Sequence, residues 1–414
     1  MPGKGVRGQG SGVGFPIPNP EPPFSGPRPP KPAPCPHYPH CVGCNFIGRP
    51  YGEQLLLKQQ RVREALGAFS TLAHLSVPAL VGSPRPFGYR NQAKLVIRKT
   101  QHGLLLGIYR PQSHQVVDIS QCPVHHPLIN AVIAKTRDAL ERLDVAVYDE
   151  RTHSGNLRYV VVRVSNWTKR AQIILVTRDR VLSQARALAA RLTRIAGVIS
   201  VAQNVNPEAG NVIFGPSFIP LTRETALVER VGFLKLQTQA GAFLQANIPV
   251  ARKLYERALE WAAPRPDDVA VDLYCGAGAL AFFLATAAKH VYGIEESPLA
   301  IVDAKRNIRL NGFHNLRFHA GEIAAVLPEL AQQLPRIDLI TLNPPRKGVD
   351  PAARDAIVAC AARKLVYISC NPDTLARDLD WFGAHGYRAA GVQPFDLLPQ
   401  TDHVECVAML ERDG

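Results

Sequence analysis

Apolar strands and helical stretches take turns along the C-terminal part of the chain. Six short runs rich in β-branched and aliphatic residues all lie after residue 240: VAVDLYC, HVYGIE, LRFHA, IDLITLNPP, KLVYISC and VECVAML. Longer stretches with helical spacing separate them, and this alternation is typical of an open, mostly parallel α/β sheet with helices on both faces. In that architecture, ligands bind beyond the carboxyl ends of the strands.

The preceding region, residues 35–240, is dominated by strand-like sequence. Its β-branched runs are separated by Gly, Pro and Asn: KLVIR, LLLGIY, YVVVRV, AQIILVT and VISVAQNV. Two stretches have helical spacing, 52–69 ahead of these strands and 182–195 between them. We therefore predict a β-rich region at 35–240 and a separate α/β region at 241–414.

The N-terminal segment, residues 1–34, holds 11 Pro and 7 Gly and few apolar side chains. Such a segment cannot bury enough surface to offset the entropy lost on ordering, so we expect a disordered basic tail. No apolar segment of signal-peptide type follows its basic start. The longest nearly uninterrupted apolar run, 277–288, is shorter than the roughly 20 residues of a membrane span. The expected location is the cytoplasm, with no membrane partner.

Charge is distributed unevenly over the 414 residues, whose formal net charge is +14. Residues 35–240 carry 26 basic and 12 acidic side chains, whereas residues 241–414 carry 18 and 21. A basic excess confined to one region favours a polyanion-binding module joined to a module with another role. The alternative is a solvated cationic surface that binds nothing in particular.

A glycine-rich turn follows the first strand of the C-terminal region. The segment from Asp272 to Gly278, DLYCGAG, would let the backbone approach a nucleotide-like ligand at a helix N-terminus. Nicotinamide dehydrogenases and adenosylmethionine enzymes both use such a turn. The next strand ends at Glu295, 23 residues beyond Asp272, where a carboxylate can accept hydrogen bonds from both ribose hydroxyls. Together they predict a ligand that contains adenosine.

Two later strands end in motifs that could carry chemistry. After Asn343, two prolines stop the strand and direct the Asn amide toward the predicted pocket. Asn-Pro-Pro followed by an aromatic residue would favour methylation of an exocyclic amine, but Arg346 stands in that place. The next strand ends in Ser-Cys-Asn-Pro, which brings the Cys370 thiol to the same edge. A buried thiol is otherwise an inert packing group.

A carboxylate at the start of the last predicted strand adds a candidate base. Glu405 lies 35 residues after Cys370, and such a pair suggests a nucleophile and a proton acceptor. The C5 carbon of uracil is too weakly nucleophilic to attack a methyl donor until a thiolate has added to C6. The C5 proton must then be removed so that the thiolate can leave. The alternative for Glu405 is a surface carboxylate at a strand start.

Four cysteines belong to the basic region. Cys35, Cys41 and Cys44 lie together in a Pro-rich loop, and Cys122 follows 78 residues after Cys44. Four thiols suit zinc or an iron–sulfur cluster, and the three-plus-one spacing does not choose between them. A disulfide framework is not expected without an export signal. Nearby histidines offer an alternative ligand set: His37, His40, His125 and His126.

From Cys35 onward the chain resembles the bacterial and archaeal RNA uridine-C5 methyltransferases, which make 5-methyluridine with S-adenosylmethionine. The combination of motifs is far more specific than any one of them: FLQAN, DLYCGAG, GIE, NPPRKG, SCNP and the closing TDHVE. The resemblance implies an α/β fold in which a Rossmann-like methyltransferase domain at 241–414 follows a β-rich RNA-binding region with an iron–sulfur cluster loop.

The resemblance also implies roles for individual residues. Cys370 would be the nucleophile and Glu405 the base. The implied cofactor contacts are Gln245, Tyr274, Glu295 and Asn343. Many members have Asp where this chain has Asn343, and Asn is commoner among those that methylate loop uridines of large-subunit ribosomal RNA. This favours 23S ribosomal RNA as substrate, with a transfer RNA T-loop uridine as the alternative.

Related methyltransferases hold a four-iron four-sulfur cluster with the same three-plus-one cysteine pattern. The implied cluster ligands are Cys35, Cys41, Cys44 and Cys122. We expect such a cluster to be structural or to shape the RNA site. The other cysteines are expected to be packing residues: Cys275, Cys360 and Cys406.

Five polar residues of the basic region are candidate RNA contacts: Arg90, Asn91, Lys94, Arg158 and Arg163. Ordinary surface charge is the alternative. An enzyme that attacks C6 must take its base out of the stack, which costs least in a loop, so we expect a loop uridine and a monomeric enzyme. The rival interpretations are an RNA-binding protein that keeps the cofactor pocket as scaffold and a DNA amino-methyltransferase.

Overall fold

A computed structural model of the chain describes residues 34–208, 210 and 212–413. In this part of the chain, two seven-stranded sheets and one hairpin form the framework on which the helices pack. The tail expected at 1–34 lies outside the described residues except for position 34. None of the helices in the described ranges is long and apolar enough to cross a membrane.

The first sheet is built from the strands predicted in the basic region. Its strands are β1 Gln92–Thr100, β2 Gly103–Tyr109, β3 Val116–Asp118, β4 Leu157–Val164, β5 Ala171–Thr177, β6 Val198–Val205 and β7 Ser217–Pro220. They lie in the order β3-β2-β1-β4-β5-β6-β7. Neighbours are antiparallel except β5 and β6, which are parallel and are connected through helix α3, Ala185–Leu192.

A helix that was not predicted also packs on this sheet. Helix α2, Pro127–Arg142, buries Ile129, Val132, Ile133 and Leu140 in the same core as the sheet. These residues are spaced i, i+3, i+4 and i+11, so the helical period is present in the sequence. The prediction of a single helix between these strands, at 182–195, was therefore wrong.

The second sheet has the predicted α/β architecture. Its strands are β10 Val269–Leu273, β11 His290–Glu295, β12 Leu316–Ala320, β13 Leu339–Leu342, β14 Lys364–Ser369, β15 Tyr387–Phe395 and β16 Glu405–Arg412. The order is β12-β11-β10-β13-β14-β16-β15. All neighbouring pairs are parallel except those of β16, which runs antiparallel to both β14 and β15. Strand β15, with its Ala, Gly and Gln residues, was not predicted.

Helices cover both faces of the second sheet. They are α1 Tyr51–Gly67, a 3₁₀ turn Ser70–Leu72, α4 Ile248–Ala262, α5 Ala279–Leu284, α6 Pro298–Asn311, α7 Ile323–Gln333, α8 Pro351–Ala359 and α9 Pro372–Gly383. Along β10, Val269, Val271 and Leu273 face the core that contains α7, α8 and α9. The intervening Ala270 faces the core that contains α4, α5 and α6. This period of two buries the strand on both sides.

Packing in the described chain crosses the division proposed at residue 240. Helix α1 precedes the first sheet in sequence, yet its Val62 and Leu66 share a core with Val271 of the second sheet. The hairpin of β8 Ala226–Val231 and β9 Leu234–Gln239 lies against α6, where the Gln237 amide donates to Asn307 Oδ1 at 2.8 Å. The domain boundary itself remains a prediction.

Candidate active site

The glycine-rich turn after β10 has the backbone that a close-approaching ligand requires. Gly276 and Gly278 adopt left-handed conformations, with φ of 54° and 89°. A Cβ at position 278 would lie 2.6 Å from the Phe318 ring. Gly278 is also the N-cap of α5, so the turn leads directly into a helix N-terminus. Only glycine satisfies both the backbone angle and the packing here.

Glu295 lies immediately beside this turn. As the last residue of β11, it is brought to the turn by the parallel register that pairs Leu273 with Ile294. One carboxylate oxygen accepts the Gly276 amide at 3.1 Å, and the other accepts the Ser297 amide at 2.9 Å. The two bonds fix the carboxylate at the carboxyl edge of the sheet, where the sequence had placed it.

Asp272 is a buried carboxylate below the turn. Thr341 donates to its Oδ1 at 2.6 Å, while Oδ2 has no hydrogen-bond partner among the described residues. Burial raises the pKa of Asp272 to about 7, against the opposing effects of Thr341 and the Ala281 amide. An open, buried acceptor of this kind fits a cofactor that carries an ammonium group.

Tyr274 and Asn343 follow two adjacent parallel strands. The register that pairs Leu273 with Leu342 places them side by side beyond β10 and β13. Tyr274 has a left-handed backbone, with φ of 57°, and burial raises the pKa of its phenol to about 12. Asn343 retains some exposure. The structure thus brings Tyr274, Asn343 and Glu295 to one edge of the sheet.

Gln245 reaches this edge from the loop before α4. Asn91 holds the loop in place. Its side-chain amide donates to the Gln245 carbonyl at 2.8 Å, and its backbone amide donates to the Ala246 carbonyl at 3.2 Å. The Gln245 side chain interacts with Tyr255, a buried residue of α4 that is also close to Asp272. Sequence reasoning missed Tyr255, whose only signal was its place on the apolar face of a helix.

Cys370 and Glu405 are brought together by the reversed last strand. Antiparallel pairing of β14 with β16 sets Ser369 opposite Cys406, so one step further the Cys370 and Glu405 positions face each other. Cys370 lies between β14 and helix α9, whose first turn is capped by the Asn371 side chain. A nucleophile candidate and a base candidate therefore share the edge that carries the glycine-rich turn.

Electrostatics couple the two side chains to each other and to Arg346. Burial raises the pKa of the Cys370 thiol, the Glu405 charge raises it further, and Arg346 opposes both effects. Glu405 keeps some solvent contact. Desolvation of its carboxyl raises the pKa to about 7, and Arg346 opposes this effect. Arg346 also lies 3.0 Å from the His403 imidazole. At neutral pH this carboxyl can therefore accept or release a proton.

The segment 396–404, which leads into Glu405, is held by a buried charged group that we call the anchor: Tyr51, Lys58 and Asp396. Lys58 Nζ lies 2.6 Å from one Asp396 oxygen, and the Tyr51 hydroxyl donates to the other at 2.8 Å. Lys58 also donates to the Leu398 carbonyl at 3.1 Å. No local sequence pattern pointed to this pair, whose members are 338 residues apart.

Three of the five candidate RNA contacts have structural roles. Arg163 is buried and donates to Gln172 and to Thr238. Arg158 is buried and donates to two backbone carbonyls at 2.7 Å, and Asn91 is buried beneath the Gln245 loop. The assignments of Arg158 and Arg163 were wrong because a basic residue on a strand can face inward and donate to buried acceptors. The assignment of Asn91 was wrong because its side chain holds a loop in place. Lys94 is exposed and lies over the Phe214 ring.

The four cysteines of the basic region are free thiols. Burial raises the pKa of Cys44 to about 12, and Cys122, Cys41 and Cys35 contribute to this shift, while Arg90 opposes it. Four soft donors beside a cation suit an anionic cluster in their chemistry. Within the described ranges, however, no three His, Cys, Asp or Glu side chains are arranged to hold a metal ion as they stand.

Three of the four alternative histidine ligands have other partners, whereas the Nε2 atom of His37 is buried without a hydrogen-bond partner among the described residues. His126 caps α2 by accepting the Leu128 amide at 3.2 Å, and His125 Nδ1 lies 3.2 Å from the Asn130 side chain. His40 contacts Arg110 at 3.1 Å. Of the cysteines expected to pack, Cys275 and Cys406 are buried, whereas Cys360 is half-buried.

The fold and the site together define a class of protein. A glycine-rich turn, an acidic residue at the end of the next strand and a mixed sheet whose last strand is reversed are the features of a Rossmann-like, S-adenosylmethionine-dependent methyltransferase. Comparison with known proteins narrows this class. The family described as tRNA (uracil-5-)-methyltransferase matches residues 50–413.

Curated relatives match nearly the whole chain. An uncharacterized RNA methyltransferase of Geobacter sulfurreducens is 42% identical over 377 residues, which cover 91% of this chain and 76% of that protein. Another from Halalkalibacterium halodurans is 39% identical over 378 residues, covering 91% and 82%. Among solved structures, the Pyrococcus abyssi tRNA (uracil-54, C5)-methyltransferase in complex with S-adenosyl-L-homocysteine has a TM-score of 0.72 at 26% identity, covering 90% of this chain and 86% of that one.

The chain belongs to the tRNA (uracil-5-)-methyltransferase family. It is an S-adenosylmethionine-dependent RNA uridine-C5 methyltransferase.

Proposed function

We propose that the enzyme methylates C5 of a loop uridine in 23S ribosomal RNA through a covalent adduct between Cys370 and C6 of the base. The observation that carries this proposal is the register of β14 and β16, which sets Cys370 and Glu405 opposite each other at the cofactor edge. An inert packing thiol would have no need of a carboxylate with a raised pKa across from it.

The reaction begins when the Cys370 thiolate adds to C6 of uracil, and the C5–C6 electron pair moves onto C5 and the O4 carbonyl. Arg346 favours the thiolate against burial and against Glu405. Because a buried thiol is largely protonated at neutral pH, positioning of the base against the sulfur has to supply much of the rate. When bound, S-adenosylmethionine would supply the methyl group that C5 attacks, and would leave as S-adenosylhomocysteine.

Glu405 completes the reaction as the base. Its carboxylate removes the C5 proton, and the electron pair of the C5–H bond re-forms the C5–C6 double bond as the C6–S bond breaks. Cys370 returns as thiolate, and Glu405 passes its proton to solvent. A carboxyl whose pKa is raised to about 7 is suited to this exchange, since it is neither locked in the charged form nor always protonated.

The cofactor would be held by the residues gathered at the sheet edge. Glu295 would accept from the ribose, Tyr274 and Asn343 would line the adjacent strand ends, and Gln245 would close the pocket from the α4 side. The open Oδ2 of Asp272 adds an acceptor for an ammonium group, a contact that the sequence did not assign.

Asn343 supports ribosomal RNA as the substrate, since Asn at this position is commoner in enzymes that modify large-subunit RNA. A transfer RNA T-loop uridine is the second candidate, favoured by the similarity to the Pyrococcus abyssi tRNA enzyme. Mapping 5-methyluridine in both RNA pools from cells lacking the gene separates the two. Loss of a 23S site supports our proposal, and loss confined to transfer RNA would replace it with the alternative.

We also propose that Cys35, Cys41, Cys44 and Cys122 hold a structural [4Fe-4S] cluster. The closeness of the four thiols and the neighbouring Arg90 support this assignment. Anaerobically purified protein should contain about four iron and four sulfide per chain, and Cys122→Ser should lose them while Cys360→Ser keeps them. Zinc in place of iron and sulfide would contradict the cluster.

Trapping the adduct tests the proposed mechanism directly. Incubation with cofactor and RNA containing 5-fluorouridine should give a covalent complex that survives denaturation, because fluorine at C5 cannot be removed by a base. Cys370→Ala should abolish the complex, and Cys360→Ala, a change at another half-buried free thiol, should leave it intact. An adduct that persists in Cys370→Ala would refute the assignment of the nucleophile.

A further inference from the structure

A cavity is lined by residues that have no role in the proposed active site. It has a volume of about 450 Å³ and is open to solvent between the β4–β5 turn, the β8–β9 hairpin and the first turn of α4. Three large side chains dominate its lining: Trp167, Arg230 and Arg252. None of them takes part in the reaction described above, and none forms part of the second sheet.

Trp167 is the exposed tryptophan of this protein. The chain has three tryptophans, all in the described part, and Trp261 and Trp381 are more buried, whereas Trp167 is 43% exposed. Lys235 Nζ lies 6.0 Å from the centre of its ring. A large flat apolar surface beside a cation, exposed at the mouth of a cavity, is the combination on which nucleobases stack in single-stranded nucleic acid sites.

The cations of the cavity are not neutralised by its carboxylate. Glu229 is buried, and its oxygens accept three backbone amides, from Asn166 at 2.6 Å, Trp167 at 3.1 Å and Arg230 at 2.8 Å. Its carboxylate therefore stabilises the β4–β5 turn beneath Trp167. Arg252 pairs with the exposed Glu256 of the same helix at 2.6 Å, a contact that water and salt weaken.

The cavity is close to the cofactor edge along the chain. Ile248 and Pro249, which form part of its wall, directly follow the loop that carries Gln245. Three peptide units separate Gln245 from Ile248, so their Cα atoms are at most about 11 Å apart. A single RNA strand whose target base enters beside Cys370 could therefore continue over the first turn of α4.

We propose that this cavity is a second RNA subsite, in which a nucleotide flanking the target stacks on Trp167 and its phosphate binds Arg230 and Arg252. The proposal rests on the proposed function in one respect, that the substrate is a single-stranded stretch of RNA. Its role is binding, so it adds affinity for longer RNA without touching the reacting base.

Tryptophan fluorescence tests the stacking contact. In a Trp261→Phe/Trp381→Phe background, Trp167 is the sole tryptophan, and a twelve-nucleotide oligouridine should quench its emission, since a stacked base quenches indole. Trp167→Ala should raise the dissociation constant for this RNA about tenfold, and Trp167→Phe should restore most of the affinity. Four-nucleotide RNA should bind Trp167→Ala and wild type nearly equally.

The salt dependence of binding tests the phosphate contacts. Replacing both Arg230 and Arg252 by Gln should reduce the slope of log K against log salt by about 0.7, because the two arginines bind one phosphate and each phosphate neutralised in a single strand contributes about 0.7. Arg186→Gln, at an exposed position on α3, should change the slope much less. Trp167→Ala should weaken binding without changing the slope.

Absence of quenching together with unchanged affinity in Trp167→Ala would overturn the subsite, and would leave the cavity to some other partner such as a protein. These binding measurements need neither cofactor nor Cys370, so they are repeated in Cys370→Ala. Quenching without any 5-fluorouridine adduct in wild type would refute only the proposed mechanism. An adduct without quenching would refute only the subsite.

Discussion

Buried charge is used in two different ways in this protein. In the anchor, the Lys58 ammonium and the Asp396 carboxylate are fully paired, and Tyr51 occupies the second carboxylate oxygen. At the catalytic edge, Glu405 has only Arg346 to offset its desolvation, and Asp272 has an oxygen with no partner within the described chain. Paired charges fix a backbone segment, whereas incompletely compensated carboxylates remain able to take up protons or ligands.

The largest effect on catalysis is expected for Glu405→Gln. The amide cannot accept the C5 proton, so methyl transfer to RNA should stop at the methylated adduct and turnover should fall by about 10²- to 10⁴-fold. Denaturing gels should show the protein–RNA complex accumulating with ordinary uridine RNA. Steady turnover of Glu405→Gln at the wild-type rate would rule out Glu405 as the base.

Breaking the anchor should instead destabilise the fold. Lys58→Met leaves the Asp396 carboxylate buried without its partner, which should lower the free energy of unfolding by about 3–5 kcal/mol in urea denaturation. The matched control is Arg61→Met, one turn later on α1, where an exposed pair with Asp373 should be worth less than about 1 kcal/mol. Equal losses in the two variants would mean that the anchor is not special.

The rate of the reaction should increase with pH. The pKa values of Cys370 and Glu405 are both raised, so their active, ionised forms grow as pH increases. Below about pH 7 the logarithm of kcat/KM should rise with a slope approaching 2, and above pH 7 with a slope near 1 until the thiol ionises. A rate that falls between pH 6 and 8 would contradict these assignments.

Arg346 should have a modest effect on the pKa values of Cys370 and Glu405. It favours the charged forms of both Cys370 and Glu405, so Arg346→Gln should raise both pKa values and slow alkylation of Cys370 by iodoacetamide several-fold at pH 8, measured on the Cys370 peptide by mass spectrometry. Lys347→Gln, at the next exposed position, is the control and should have little effect. Faster alkylation in Arg346→Gln would show that the thiolate gains nothing from the guanidinium.

The sequence predicted the second sheet well because its strands are short apolar runs with turn residues at their ends. Those ends place Tyr274, Glu295 and Asn343 at one edge, since parallel strands share a direction. Strand β15 was missed because Ala, Gly and Gln give it little β propensity. The assignment of Arg163 to the RNA surface was wrong because alternation along a strand does not say which face is inside when both are covered.

Sequence alone did not predict the anchor, nor how the four cysteines of the basic region are arranged. Lys58 lies in the stretch 52–69, whose helical spacing does not indicate that this lysine is buried. Its partner is 338 residues away, and only folding of α1 onto the second sheet creates the pair. Long-range pairing of this kind leaves no local period in the chain.

The placement of β16 between β14 and β15 gives the two groups of proposed site residues different structural support. Tyr274, Glu295 and Asn343 follow strands β10, β11 and β13, which pair with one another without any help from β16. Glu405, in contrast, arrives only when the final strand is inserted between two others. In the proposed mechanism, the residues that would bind the methyl donor and the base that would release the RNA product therefore depend on different strand pairings.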